Sequence, residues 1–347
     1  MQKSGRLGGQ SGSIKLGTDC SGIDAGCAAI VSLGLDFEYA FASDIDEHCV
    51  KVLRSLQHPP ATIYGDITTR DVSTTPSVDV YIAGFPCQAY SRLNRNGTQG
   101  IKDKHKSGPM YAVLEYIEHH KPLIFLLENV GNFLTLGYPH IKEWIQTQST
   151  YYEIEHRILQ PHIHVGFPQS RKRVYFVGKL KAAFSDARVV WPEPCTSLTI
   201  SLDDVLARAL EFGELDYDAM HRNLTVQQQS YVSACIERIE NTKDPSTTTL
   251  IWDLSLAGFY KKAKRIGSAA AFQQISPCLH SGSGRFYLTR QQRFISWAEA
   301  LALQGFSPEP NDAMIWRQLP RSHIFKMAGN SMCVPLIAKL LELNLPQ

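Results

Sequence analysis

The chain has no CxxC pair, no long apolar run, no strong charge bias and no internal repeat. Its eight cysteines, Cys20, Cys27, Cys49, Cys87, Cys195, Cys235, Cys278 and Cys333, are scattered. That spacing argues against a disulfide framework and against a cysteine-rich zinc site, so a reducing compartment and no metal are expected. No segment approaches the roughly 18 to 20 consecutive apolar residues of a membrane span, and residues 1–13 are Gly/Ser/Gln-rich without the apolar centre of a secretory leader. A soluble intracellular protein is therefore expected, acting as a monomer without a membrane partner. The formal net charge of +2 is too mild to announce a nucleic-acid binder, so any basic surface must be local.

What is present is ordinary globular composition: 347 residues, 44% of them hydrophobic, enough for one large domain with a smaller companion. Residues 14–178 alternate short apolar runs with helical patterns, which predicts βαβ units on a largely parallel sheet. Ile14-Lys15-Leu16 reads as a first strand, leading into a turn that holds Gly17 and Gly22. A second strand over 37–43 is closed by Asp44; Asp44 or Asp46 then caps a helix with apolar positions Val50, Leu53 and Leu56. Met110, Val113, Leu114 and Ile117 follow helical period, with Pro109 suited to a helix start. Beyond residue 179 the chain turns Pro- and Ser/Thr-rich, which marks a separate unit. A helix resumes at 297–304, and Leu336, Leu340 and Leu343 form a final stripe in need of a partner.

Chemistry concentrates where the predicted strands end. Cys87 follows the apolar run 78–85, and Glu128 follows the run 123–127, so neighbouring strands could deliver a nucleophile and a carboxyl group to one rim. A buried small hydrophobe is the commonest alternative for such a cysteine. The loop from Ser91 to Gly108, with Arg92, Arg95 and Gln99, is polar, cationic and glycine-rich, suited either to folding over an anion or to plain solvation. Gly22 and Asp44 suit a nucleoside without phosphates, since the spacing is not GxGxxG and no cation follows; Asp66 in Gly65-Asp66-Ile67 could accept from an adenine amino group. Gln169, Arg171 and Arg173 alternate ahead of a strand-like run and are expected on one face. His162 and His164 lack a third ligand and read as ordinary histidines.

Taken in order, these residues resemble the cytosine-C5 DNA methyltransferase family over nearly the whole chain. Gly84-Phe85-Pro86-Cys87-Gln88-Ala89-Tyr90-Ser91 is similar to its nucleophile motif, Glu128-Asn129-Val130 to its acid motif and Gln169-Ser170-Arg171-Lys172-Arg173 to its QxRxR motif. Leu303-Gln304-Gly305-Phe306 and Ala328-Gly329-Asn330-Ser331 resemble its two late motifs. Three positions depart from the pattern. The cofactor turn Cys20-Ser21-Gly22-Ile23-Asp24-Ala25 lacks the usual aromatic residue, Asp44 stands where Glu is usual, and the Arg-Glu pair of the late helix is Ala298-Glu299.

The resemblance implies an α/β, Rossmann-like methyltransferase sheet with a smaller target-recognition domain. Its division is residues 14–190 completed by 285–347 as the catalytic and cofactor-binding domain, residues 191–284 for target recognition, and a flexible segment 1–13. It implies S-adenosylmethionine as methyl donor, bound by Cys20, Ser21, Gly22, Ile23, Asp44, Ile45, Asp66, Ile67, Gly84, Pro86, Asn330 and Ser331. Catalysis is implied for Cys87, Glu128, Arg171 and Arg173, on a cytosine flipped out of double-stranded DNA. DNA contacts are implied for Ser91, Arg92, Arg95, Gln99, Gln169 and Thr249, and phosphate positioning for Lys261, Lys262, Lys264 and Arg265. One branch of the family methylates tRNA; a catalytically inactive DNA-binding protein retaining the fold is the other alternative.

Overall fold

The computed structural model describes residues 13–86, 104–209, 220, 223–240, 250–254, 272–280, 283–307 and 312–346. It divides into two compact units: Met1–Leu159 with Lys172–Glu193 and Val334–Gln347, and Gln160–Arg171 with Pro194–Cys333.

The first unit is built on a seven-stranded sheet. Its strands are β1 (Ile14–Asp19), β2 (Phe37–Ser43), β3 (Thr62–Tyr64), β4 (Val80–Ala83), β5 (Ile124–Val130), β6 (Tyr152–Leu159) and β7 (Arg173–Leu180), ordered β3-β2-β1-β4-β5-β7-β6. Pairs among β1 to β5 are parallel, and β7 runs antiparallel to both β5 and β6. Chain order reverses between β1 and β4, the position at which an open α/β sheet leaves a crevice beyond its strand ends. The fold is thus the α/β, Rossmann-like one expected.

Packing explains which residues form these elements. Phe41, Tyr81 and Phe125 from three strands join Val113, Tyr116 and Ile117 of the helix Lys104–His120 in one buried cluster. All four predicted apolar positions of that helix are buried, but Pro109 lies inside it and not at its start. In Glu47–Ser55 the cap is Asp46, which accepts from the His48 amide at 3.0 Å. The buried face is Cys49, Val52 and Leu53, so Val50 and Leu56 are replaced there. Gly17 lies within β1 and not in the turn; a side chain there would collide with the Phe41 ring.

The C-terminal helix Val334–Asn344 packs on the helix Ala25–Ser32, burying Leu336, Ile337, Leu340, Leu341 and Asn344. Leu343 is only partly buried, so the buried face is rotated from the predicted stripe. The stretch Arg321–Asn344 is long and apolar enough to cross a membrane by composition, contrary to the sequence reading. It is two helices, Arg321–Asn330 and Val334–Asn344, mostly buried in the protein, which is the behaviour of core helices.

The second unit carries a small antiparallel sheet, β8 (Leu250–Asp253), β9 (Phe272–Gln273), β10 (Phe286–Leu288) and β11 (Arg293–Phe294), in the order β11-β10-β8-β9. Because β10 pairs with β8, the boundary placed between residues 284 and 285 from sequence would cut this sheet. Residues 285–333 group instead with 194–284, and the helix Trp297–Ala302 packs against both Leu202–Arg208 and Arg321–Asn330.

Candidate active site

Two neighbouring strands of the first unit, β4 and β5, lead to or hold the catalytic candidates. Ala83, the last residue of β4, pairs with Leu127, so Gly84 follows beside Glu128 on β5. Asn129 fastens the approach to the nucleophile motif: its Nδ2 donates to the Phe85 carbonyl at 3.0 Å. Gly84 and Pro86 are partly buried in that segment. Cys87 lies outside the described residues, as do Ser91, Arg92, Arg95, Gln99, Thr249, Lys261, Lys262, Lys264 and Arg265.

Glu128 is buried, and its Oε1 lies 3.1 Å from Nε of Arg173, the first residue of β7. Among the described residues that oxygen has no partner besides this ion pair. A buried carboxylate oxygen held against a guanidinium but lacking any other partner is a place for a ligand donor, because leaving it unmet is costly. Arg173 also donates from Nη1 to the Lys172 carbonyl at 2.9 Å.

The predicted alternation of Gln169, Arg171 and Arg173 along one strand does not form. Strand β7 begins at Arg173, and the other two belong to the second unit. Gln169, expected at DNA, is fully buried: its Nε2 donates to the Leu303 carbonyl at 2.7 Å and to Gln304 Oε1 at 3.2 Å. Arg171 is buried too, donating from Nη1 to the carbonyls of Leu279 at 3.0 Å and Gly329 at 3.1 Å, the bonds of a brace. Gln304 in turn donates to the Ala328 carbonyl, so three motifs distant in sequence are knit together inside this unit. Asn330 is exposed there, and the Ser331 hydroxyl donates to the Met332 carbonyl.

The turn after β1 is unusual in backbone. Cys20, Gly22 and Asp24 all have positive φ, at 50°, 60° and 57°, although only one is glycine. Left-handed non-glycine residues cost of order 1–3 kcal/mol each and persist where surroundings over-determine them, typically at functional sites. Here the surroundings are explicit. The Gly22 amide donates to Asp44 Oδ2 at 2.8 Å, and the Ser21 hydroxyl is engaged with Thr18 and Ser43 inside the protein. Asp24 Oδ1 accepts from the Cys27 amide at 2.9 Å and caps the following helix. A Cβ at Gly22 would meet nothing within 4 Å, so the turn faces open space. Around it stand Asp44, whose Oδ1 also accepts from the Asp46 amide at 2.8 Å, and Ile45, 78% exposed. Asp66 is exposed, with Oδ1 accepting from the Thr68 amide and hydroxyl, while Ile67 beside it is buried. Ile23 is buried beneath the turn.

Two ionisable groups of the turn are displaced. Burial, then the charges of Asp19, Asp44 and Asp66, push the Cys20 thiol well up, so it stays protonated. Burial also raises the Asp24 carboxyl from 3.8 to about 7. The native state then holds a proton that the unfolded chain releases from about pH 4 upward, so this group's contribution to stability is full at acid pH and is lost as pH rises to 7. Asp24→Asn, which still caps the helix and tolerates left-handed backbone, is expected to gain on the parent across that window, by up to ~1.4 kcal/mol per pH unit. Parallel melting curves of the two proteins from pH 5 to 8 would refute it.

The model of the C-5 cytosine-specific DNA methylase family matches residues 13–343. The chain belongs to that family. Similar members include type II methyltransferase M.NlaX of Neisseria lactamica, 27% identical over 91% of this chain and 93% of that protein. Type II methyltransferase M.MspI of Moraxella is 26% identical over 80% of this chain, a match that spans only 59% of the Moraxella protein. The fold is shared with a putative DNA modification methyltransferase from an Escherichia coli prophage, at TM-score 0.62 and 18% identity over 96% of this chain and 98% of that one. It is also shared with the Dnmt2 methyltransferase of S. pombe, at TM-score 0.56 and 18% identity over 95% and 98%.

Sequence reasoning about this methylase missed two buried ion pairs. One joins Asp19, the last residue of β1, to Arg70; the other joins Glu299 and Arg293. The signal for the first was a lone arginine, Arg70, shortly after Asp66 in an otherwise short polar connection. For the second it was Glu299 three residues after Ser296, a capping box. Among the described residues no group of three His, Cys, Asp or Glu could hold a metal ion.

Proposed function

We propose that the protein transfers a methyl group from S-adenosylmethionine to C5 of a flipped-out cytosine in a short double-stranded DNA sequence, as the modification enzyme of a type II restriction-modification pair. The observation that carries this is Glu128, buried and ion-paired with Arg173, with no other partner on that oxygen among the described residues, next to the segment that leads into Cys87.

The residues over β1 to β3 fit the donor. Open space at Gly22, the exposed apolar face of Ile45, and the carboxylates of Asp44 and Asp66 suit a nucleoside's ring, ribose hydroxyls and amino group, and there is no need for a phosphate site. When bound, S-adenosylmethionine supplies an electrophilic methyl group. Cytosine C5 is a poor nucleophile within an aromatic ring, so the chain must first activate it. Cys87 thiolate adds to C6, and the electron pair of the C5–C6 double bond moves into the ring. Glu128 holds a proton at N3 as that charge develops, and Arg173 holds the O2 carbonyl. After methylation, loss of the C5 proton expels Cys87 by β-elimination. The loop containing Ser91, Arg92, Arg95 and Gln99 closes over the flipped base. Target choice falls to the second unit, where Thr249 meets the target and Lys261, Lys262, Lys264 and Arg265 hold phosphates.

The deciding experiment offers labelled S-adenosylmethionine with duplex DNA beside tRNA. Label in 5-methylcytosine of DNA is expected; label in tRNA alone, or in neither, would overturn the proposal. Asp66→Ala should weaken S-adenosylmethionine binding about tenfold, the effect of losing a polar contact of roughly 1.5 kcal/mol. Unchanged affinity by calorimetry would remove Asp66 from the site.

A further inference from the structure

Below the cofactor turn, one guanidinium joins the ends of three adjacent parallel strands. Arg70 donates from Nη1 to Asp19 Oδ1 and from Nη2 to Asp19 Oδ2, both at 2.7 Å, and from Nη1 to the Ser43 hydroxyl at 2.8 Å. Asp19 is fully buried and also accepts from the Tyr81 hydroxyl at 2.6 Å and the Ser43 hydroxyl at 2.5 Å. The guanidinium carbon lies 5.2 Å from the ring centres of Phe41 and Tyr64 and 5.6 Å from that of Tyr116. The Arg70 side chain is 5% exposed.

Position gives this cluster its meaning. Asp19, Ser43 and Tyr64 are the last residues of β1, β2 and β3. The residues that follow them are Cys20, Asp44 and Gly65-Asp66, the candidate cofactor contacts. The turn that carries Asp66 is exposed, and its own hydrogen bonds are local: Thr68 and Thr69 donate to Asp66. Strand β3 before it is three residues long, so the turn is tied down by Ile67 packing on one side and Arg70 on the other. A buried ion pair adds little stability that well-packed apolar side chains of the same volume would not add. What it adds is a directional, bidentate fixation of geometry.

We propose that Arg70 is a positioning residue for the methyl donor: through Asp19 and Ser43 it sets the relative heights of the strand ends that present Cys20, Asp44 and Asp66. The inference rests on the donor site proposed above. The charges of Asp19, Asp44, Asp66 and Arg70 all act on the Cys20 thiol, in keeping with one shared rim.

The test uses the full chain with S-adenosylmethionine titrated calorimetrically and steady-state methylation of duplex DNA. Arg70→Met alone leaves Asp19 buried without its counter-ion and is expected to destabilise the fold. The informative variant is therefore Asp19→Asn with Arg70→Met, which removes both charges and keeps an acceptor for Tyr81 or Ser43. It should melt close to the parent, yet bind S-adenosylmethionine about tenfold more weakly and show a matching rise in KM for it. Its kcat at saturating donor and its affinity for DNA should stay within about twofold of the parent. Arg70→Lys, which keeps the charge but not the fork, should lie between. Parental donor affinity in the double variant would make the pair a folding device only and overturn the inference. A fall in kcat without a rise in KM would overturn it as well. A parent protein that takes up no S-adenosylmethionine would instead bring down the proposed function, and this inference with it.

Discussion

A duplex carrying 5-fluorocytosine at the target base is expected to end covalently bonded to Cys87, and only when S-adenosylmethionine is present. Fluorine at C5 cannot leave as a cation, so after methylation no proton is available to drive β-elimination and the sulfur stays on C6. Cys87→Ser should abolish both trapping and turnover, because an alcohol at ambient pH offers almost no oxyanion to add to C6. Glu128→Gln should slow trapping by roughly 10²–10⁴-fold, the range for losing a positioned proton donor, while DNA binding is largely kept. The separation matters, since the Glu128 interaction strengthens only as charge develops on the ring. Digestion of the denaturation-resistant complex and mass spectrometry locate the bond. A crosslink at another cysteine, or parental turnover surviving in Cys87→Ser, would overturn the mechanism.

How far the sequence reached depends on the range of the interaction involved. Strand β2 was legible to the residue because its apolar run is closed at both ends by polar breaks. The run 123–127 marked the strand, but its end was read too early: β5 continues to Val130, and Glu128 sits buried within it, in register with Tyr175 of β7. Of the positions expected on the buried face of the helix Glu47–Ser55 only Leu53 is there: Val50 and Val52 are equally apolar, and only tertiary packing decides between them. Pro109 was read as a start signal, yet the helix continues upstream of it for five residues. Gln169 and Arg171 were expected on one strand face with Arg173 because nothing local says that Leu303, Leu279 and Gly329, more than a hundred residues away, supply carbonyls to hold them. Long-range polar partners leave no periodic trace. The boundary at residue 284 failed for the same reason, since the pairing of β8 with β10 is non-local. The Asp19–Arg70 pair escaped because each partner, taken alone, reads as a strand-end or loop charge.

The late-helix position where the family pattern places arginine is Ala298, which left Glu299 without its usual neighbour. The structure supplies the arginine from β11. Arg293 donates from Nη1 to Glu299 Oε2 at 2.8 Å and from Nη2 to Oε1 at 2.6 Å, and the Ser296 amide donates to Oε2 at 2.7 Å. The Glu299 side chain is 1% exposed. Removing the arginine leaves a buried carboxylate with only the capping amide, so Arg293→Met is expected to destabilise the protein by ~3–5 kcal/mol in denaturant unfolding followed by tryptophan fluorescence. The double variant Arg293→Met with Glu299→Gln should recover much of that loss. Glutamine carries no charge to desolvate, and its side-chain oxygen still accepts from the Ser296 amide, which preserves the capping box at the start of Trp297–Ala302. That helix packs on Arg321–Asn330, so a weakened cap would propagate to the segment that holds Gly329, the carbonyl partner of Arg171. A loss below ~1 kcal/mol in Arg293→Met would put the pair among the weak surface-type bridges. Failure of the double variant to recover stability would mean that the geometry of the ion pair, and not the unpaired charge, is what the second unit requires.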